Sequence, residues 1–359
     1  MRLLWLLVLL LSVVRAHAAE LTLTCFSVGQ GDALLIQSPT GKKVLIDGGP
    51  PESREALVNK LRARGVASLD LVLLTHPHLD HLGGFLAVLG AFPVRSYLDS
   101  GYPQSSPAYG NLLRALEERK IPVLRASAGR KIDLGGGATL TLLGPPSPFI
   151  NSGRSDVNAN SVVTRLTYGS AAAVLSGDAE PETEAWLLSQ GVTLQAEVLK
   201  VGHHGSRYAS GAAFLKAVQP RYALISVGAR NDYGHPTAEA LARLSAAGAQ
   251  VLRTDQQGDI TLRSRDGQPF QLDGAVAQTP PVAQIPPGQR PPVPRAPIPT
   301  TLPAQSSAAD ERVASGRSDV FHLPTCGAVS RIKAENLLRF PSRAAALQSG
   351  RRPAVDCQP

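Results

Sequence analysis

The chain has 359 residues, 43% of them hydrophobic and 18% charged, with a formal net charge of +8. That length carries one large domain plus a small module, and three cysteines (Cys25, Cys326, Cys357) exclude a scaffold built from disulfides. Residues 280–359 hold ten Lys/Arg against five Asp/Glu, and Arg2 and Arg15 lie at the start, so the body between them is near neutral and offers no globally basic nucleic-acid-binding face.

In chain order, residues 1–19 read as an export signal. Arg2 is followed by the apolar stretch Leu3 to Val14 and by the small residues Ala16 and Ala18 around a cleavage point. The alternative is an uncleaved anchor, for which the apolar stretch is short. No later segment approaches 18 consecutive apolar residues, so the expectation is an exported chain (periplasmic, cell-surface or extracellular) whose mature part has no transmembrane segment.

From residue 20 to about 275, short β-type runs broken by Gly and Pro alternate with helical stretches. Strands are predicted over 21–28, 33–37 and 43–46, the last running into Asp47-Gly48-Gly49. A helix over 52–64 has Leu57 and Leu61 four apart and Gly65 as its stop. A buried strand over 69–74, a helix over 108–120 and strands over 138–143 and 161–168 follow. The strand 171–175 ends at Ser176-Gly177-Asp178, the helix 182–189 precedes the strand 196–201, and the helix 212–218 precedes the strand 222–227. A last helix over 237–247 and strands over 251–253 and 259–263 close the domain. The irregular alternation, with strand pairs near each end, predicts two mixed sheets packed face to face with helices outside.

Residues 280–303 hold ten prolines, so 276–312 is expected to be a semi-extended linker, and 313–359 a small second unit.

The chemistry concentrates in histidine. His76-Pro77-His78-Leu79-Asp80-His81 puts three imidazoles and a carboxylate in six residues at a strand end. These are the ligand types that divalent transition metals take at neutral pH. His76 and His78 can point at one cation, Asp80 and His81 at a neighbour, and such a pair needs a bridging anion. Asp178, at another strand end after a glycine, is the candidate. His203-His204-Gly205-Ser206 adds two histidines. Neighbours on an extended chain point in opposite directions, so His204 is read as ligand and His203 as contacting substrate or orienting the site. Asp47 either hydrogen-bonds a ligand or makes an ordinary Asp-Gly turn. His235 is either a general acid or phosphate contact, or a surface-loop histidine.

His76-Pro77-His78-Leu79-Asp80-His81, with Asp47-Gly48-Gly49, Ser176-Gly177-Asp178 and His203-His204-Gly205-Ser206, resembles the metallo-β-lactamase superfamily. Gly29-Gln30-Gly31-Asp32-Ala33, Asn160-Ser161, Leu199-Lys200, Ser226-Val227-Gly228 and Gly234-His235-Pro236 make residues 21–265 similar to the soluble C-terminal domain of the ComEC competence-protein family. The resemblance implies an α/β fold of the αββα sandwich kind, two divalent metal ions between the sheets, and a nuclease that degrades a DNA strand during uptake. It implies His76, His78, Asp80, His81, Asp178 and His204 as ligands, with Asp47 and Asn160 behind them. His203 and His235 would join Asp80 in the chemistry, meeting developing negative charge as activated water attacks phosphorus. Lys200 and Ser206 either share that role or are, respectively, a strand-edge residue and a loop hydroxyl.

Two departures stand out. ComEC proteins span the membrane many times, and nothing here does. The superfamily also usually places a further histidine between the first cluster and the bridging aspartate, but residues 82–177 contain none. Asn158 or Asn160 stands there instead. An amide oxygen is a weaker ligand than imidazole, so zinc and the harder manganese are both open.

The tail, from Ser318 through His322 and Cys326 to Arg352-Pro353 and Cys357, is similar to the Ada-type zinc module. Where that module usually has a fourth ligand stands Ala354. His322, Cys326 and Cys357 therefore either hold one zinc or, for the two cysteines, form a disulfide. The functional expectation is an exported metal-dependent nuclease or phosphodiesterase with DNA as substrate and envelope DNA-uptake machinery as partner. The alternatives are a metallo-hydrolase of a β-lactam or small phosphodiester, and a non-catalytic envelope DNA-binding protein.

Overall fold

The computed structural model describes residues 19–151 and 153–273 and, beyond them, 311–315, 320–327, 329–332, 337–340, 342–343, 346 and 352–354. The export signal expected over residues 1–19, all but Ala19, and most of the proline-rich stretch lie outside the described residues. The chain divides into two compact units between Val276 and Ala277.

The first unit has fifteen described strands: β1 (Glu20–Cys25), β2 (Leu34–Gln37), β3 (Lys43–Ile46), β4 (Leu71–Leu73), β5 (Tyr97–Asp99), β6 (Val123–Arg125), β7 (Lys131–Gly135), β8 (Ala138–Leu142), β9 (Thr164–Tyr168), β10 (Ala171–Leu175), β11 (Val198–Lys200), β12 (Tyr222–Ile225), β13 (Gln250–Arg253), β14 (Ile260–Arg265) and β15 (Gln271–Leu272). One sheet runs β15-β14-β1-β2-β3-β4-β5-β6 and the other β13-β12-β11-β10-β9-β8-β7. Strands β3 to β6 pair in parallel, as do β10 to β13. The remaining pairs are antiparallel.

Alternation along each strand builds three apolar layers. Leu71 and Leu73 of β4 face the space between the sheets, where they join Leu140, Leu166, Ala173, Val198 and Leu224 of the second sheet. Their neighbours Val72 and Leu74 point outward onto Leu57, Leu61, Phe85, Val88 and Leu116 of the covering helices. On the far side, Val174, Leu199 and Ala223 pack on Leu187, Phe214 and Leu244. Strands buried on both faces read as continuous apolar runs, which is why the parallel ones stood out in the sequence. The layers are helix, sheet, sheet, helix, so this unit is the αββα sandwich.

The parallel stretches end on the same edge of the sandwich, and the histidine and aspartate motifs follow β3, β4, β10 and β11 there. Ligand sites in α/β folds favour such carboxyl ends. Elements not anticipated include β6 and β7, largely exposed, and the helix Phe85–Ala91. No described helix is long and apolar enough to cross a membrane.

In the second unit, β16 (Arg312–Ser315), β17 (Val320–His322), β18 (Leu337–Phe340) and β19 (Arg352–Pro353) form one sheet in the order β18-β16-β17-β19. Ala314, Phe321 and Ala346 form its small core. His322 Nδ1 lies 3.6 Å from Cys326 Sγ. Cys357, the other residue of the expected zinc or disulfide set, lies outside the described residues.

Candidate metal centre

The site is built outward from Asp178. Gly177 before it has φ +52°, and a Cβ there would approach Thr75 Cβ to 2.9 Å, so glycine lets the β10 and β4 ends close on each other. Around the buried Asp178 carboxylate stand four imidazoles. His81 Nε2 is 3.3 Å and His204 Nε2 3.5 Å from Oδ1, while His76 Nε2 and His203 Nε2 are each 3.8 Å from Oδ2. Asp80 Oδ2 is 3.3 Å from His204 Nε2 and 3.7 Å from His81 Nε2. His78 turns Nδ1 to within 3.0 Å of His76 Nε2.

Hydrogen bonds on the other ring nitrogens fix where the lone pairs point. His81 Nδ1 donates to Asp47 Oδ2 at 2.8 Å. The Thr75 amide donates to Asp47 Oδ1 (2.7 Å) and the Thr75 hydroxyl to Oδ2 (2.8 Å), and that hydroxyl in turn accepts from His76 Nδ1 (3.1 Å). His204 Nδ1 donates to the Ser226 carbonyl at 2.9 Å. The Nε2 atoms of His76, His81 and His204 are thereby left as acceptors, all aimed at the Asp178 carboxylate. His81 Nε2, His204 Nε2 and Asp178 Oδ1 are buried without a hydrogen-bond partner. Buried orphan acceptors of this kind are costly unless a cation or water meets them. Donor atoms of Asp80, His81, Asp178 and His204 all lie within 4.8 Å of one another. The residues fit a divalent metal.

Burial and the neighbouring carboxylates pull the protonation of these groups in opposite directions. Burial opposes charge on His81, but Asp178, Asp47 and Asp80 hold it well above the usual histidine range. The same opposition lifts His204 to about 10, through Asp178 and Asp32. Burial keeps His76 well below that range, aided by His81. Burial likewise works against the Asp178 charge, yet His204, His81 and His203 hold its carboxyl well below the carboxylate range.

The structure amends several expectations. His203 and His204 are not on extended chain. Their φ angles of 46° and 52° are left-handed, and both rings turn toward Asp178. Such backbone costs of the order of 1–3 kcal/mol per residue and collects at functional sites. Asp47, with φ 59°, shares it. Lys200 does not face the opening. It is fully buried, with Nζ 2.7 Å from Asp32 Oδ2 and donating to the Val201 carbonyl. Asp32 Oδ1 in turn lies 3.3 Å from His204 Nδ1, so the lysine acts behind the site. Ser206 is a buried turn hydroxyl that accepts from the Tyr208 amide. Asn160 touches none of the candidate ligands: its Oδ1 accepts from the Ile150 amide, and its Nδ2 donates to the carbonyls of Ile150 and Asp156. It closes the loop 150–160. Asn158 is the amide that reaches the site, with Nδ2 3.4 Å from His203 Nδ1 and a buried Oδ1 that lacks a hydrogen-bond partner.

His203, partly exposed, holds Glu180 Oε1 at 2.9 Å through Nδ1. Burial disfavours its charge, but Asp178 and Glu180 raise its pKa. His235 lies beyond, its ring 5.5 Å from that of His203. Burial and the neighbouring His203 and His204 push it down to about 4, so it is neutral at pH 7. Asp32, Thr75 and Glu180 as contacts of the site were not singled out from sequence, whereas Asn158 was one of the two amides named there. The only signal for Asp32 was its place in the Gly29–Ala33 run.

Residues 27–150 match the model of the metallo-beta-lactamase superfamily. "ComE operon protein 3" of Bacillus subtilis is 30% identical over 275 residues, covering 72% of this chain and 35% of the relative. "Competence protein ComA" of Neisseria gonorrhoeae is 32% identical over 249 residues, covering 67% and 32% respectively. The chain is a ComEC-like member of the metallo-β-lactamase superfamily. This ComEC-like chain spans about a third of the length of those two relatives. Among solved structures, the metallo-β-lactamase fold protein YhfI of Bacillus subtilis is 14% identical, covering 68% of this chain and 98% of its own, with a TM-score of 0.41.

Proposed function

We propose that this chain is an exported phosphodiesterase that cuts DNA with a pair of divalent cations, zinc or manganese, as part of DNA uptake. The observation that carries the reading is the convergence of three imidazole Nε2 lone pairs and Asp80 on the buried Asp178 carboxylate. His76, His78 and Asp178 would hold one cation, and Asp80, His81, His204 and Asp178 the other. When bound, such cations supply Lewis acidity to a phosphoryl group and bring the pKa of water toward neutrality.

The chain's own residues supply the rest. Asp47 and the Ser226 carbonyl hold His81 and His204 in their tautomers. Glu180 accepts from His203 Nδ1 and favours the charged imidazole, so that its Nε2–H would be placed beside the opening to donate to a phosphoryl oxygen. The competence relatives support DNA as the substrate class, and the two-sided donor set supports hydrolysis of a phosphodiester over mere binding. The test is elemental analysis of the purified chain together with a panel of single-stranded DNA, duplex DNA, a small phosphodiester and a β-lactam. Metal-dependent cleavage of DNA that disappears in Asp178→Ala is expected. Turnover of the β-lactam alone, or a metal-free main unit with no turnover, would replace the reading.

A further inference from the structure

Two exposed tyrosines lie on the loops that follow His203 and precede His235, and nothing in the mechanism uses them. Tyr233 is 69% and Tyr208 43% solvent-exposed, Tyr233 being the most exposed large apolar side chain among the described residues. Tyr233 lies flat beside His235, with ring centroids 5.7 Å apart and 25° between planes, and His235 in turn meets the His203 ring. Tyr208 follows the His203–Ser206 turn by two residues, and the Arg154 guanidinium sits 3.6 Å over its ring. Arg154 precedes the short helix Asp156–Ala159, whose Asn158 contacts His203. Tyr233 thus leads back to His203 ring by ring through His235, and Tyr208 is tied through Arg154 to the segment that carries Asn158.

The exposure is enforced rather than accidental. Glu184 accepts from the Ser210 and Gly211 amides at 2.5 and 2.9 Å. Arg243 donates to the carbonyls of Arg207, Ala209 and Ser210. The loop 207–211 is therefore anchored through its backbone from both sides while its two outermost side chains, Arg207 and Tyr208, stay in water. Arg230 is also exposed, three residues before Tyr233, with Asp232 as the one acidic neighbour in that turn. Exposed aromatic rings interleaved with arginines around a phosphodiester-cutting centre match what an unpaired polynucleotide offers: a flat base between charged phosphates.

We infer that Tyr208 and Tyr233 are base-stacking platforms on either side of the scissile phosphate, so that the strand taken by this site is single-stranded. The inference rests on the phosphodiesterase reading above. Arg154 and Arg207 contact the backbone phosphates, and paired bases, whose faces are already stacked, are poor occupants.

The test compares an oligothymidylate with an abasic oligonucleotide of the same length and charge, on the full chain and on Tyr208→Ala, Tyr233→Ala and the two Tyr→Phe variants. Fluorescence anisotropy in EDTA reads binding with no cleavage, and KM against kcat is read with metal. The expected result is a wild-type preference for the oligothymidylate of roughly 5- to 100-fold in Kd and KM, collapsing toward unity in the alanine variants and kept in the phenylalanine ones. Equal binding of both oligonucleotides by the wild type, or an unaltered preference in both alanine variants, overturns the inference. Failure of the phosphodiesterase reading shows separately, as no cleavage of either strand with metal present, and leaves the anisotropy comparison to decide the stacking.

Discussion

The site has an inner ring and an outer ring, and they are built differently. His76, His81, Asp178 and His204 are all buried, and each of these imidazoles is pinned through its Nδ1 to a carboxylate, hydroxyl or carbonyl. Outside them, His203, Arg207, Tyr208, Tyr233 and His235 are partly or largely exposed and sit on loops after the strand ends. A buried ring with locked tautomers suits a fixed cation geometry, whereas an exposed ring suits a long substrate that must slide in and leave. On the function proposed above, the difference would separate what holds the reactive centre from what chooses the substrate.

That separation can be broken most severely at Asp178. In Asp178→Ala, loss of cation binding should remove several kcal/mol of charge stabilisation, about a 10³-fold drop in kcat. An outer-ring substitution such as Tyr233→Ala should instead act on KM. The pair behind His204 comes next. Lys200→Met strands the Asp32 carboxylate in the core and should cost about 3–5 kcal/mol in urea unfolding, with part recovered in the Asp32→Asn, Lys200→Met double variant. Loss of turnover at unchanged stability would return Lys200 to the substrate side.

Asp47→Asn tests the inner ring more finely. The single carbonyl oxygen of Asn must then serve three donors, so the His81 tautomer is held less firmly, and metal affinity should fall roughly 10- to 100-fold with kcat at saturating metal less affected. The smallest effect concerns the bracing of the outer ring. Burial pushes the Glu184 carboxyl up to about 7, so the fold favours its protonated form. Its contribution is complete below the ordinary glutamate value and is lost as pH rises through about 7. Relative to Glu184→Gln, the wild type should therefore lose stability, on the order of 1–2 kcal/mol, between pH 4.5 and 7. Parallel pH profiles for the two proteins would contradict that assignment.

Much of the inner ring could be read in the sequence because its chemistry is dense and local. His76 to His81 packs four donor groups into six residues, and the apolar runs that precede the motifs mark strands buried on both faces. Asp178 was legible through its strand end and its glycine. What failed were readings that depend on a distant partner or on an unusual backbone. Lys200 next to a histidine pair suggests a phosphate contact until Asp32, from the other sheet, is seen to claim it. Nothing about His203-His204 signals two consecutive left-handed residues, so the rule of alternating side chains misled. Asn160 and Asn158 are two residues apart, and only the hydrogen bonds of the 150–160 loop tell closure from contact. The strands β6 and β7 escaped because their mostly exposed residues carry little apolar signal.

The account stands on a cation held at Asp178, and metal content per chain measures that directly. Elemental analysis of the purified protein and of Asp178→Ala, each dialysed against the same zinc and manganese buffers, should show two equivalents at the main unit of the wild type and a clear loss in the variant. Equal metal content in the two proteins, or none in either, would contradict it.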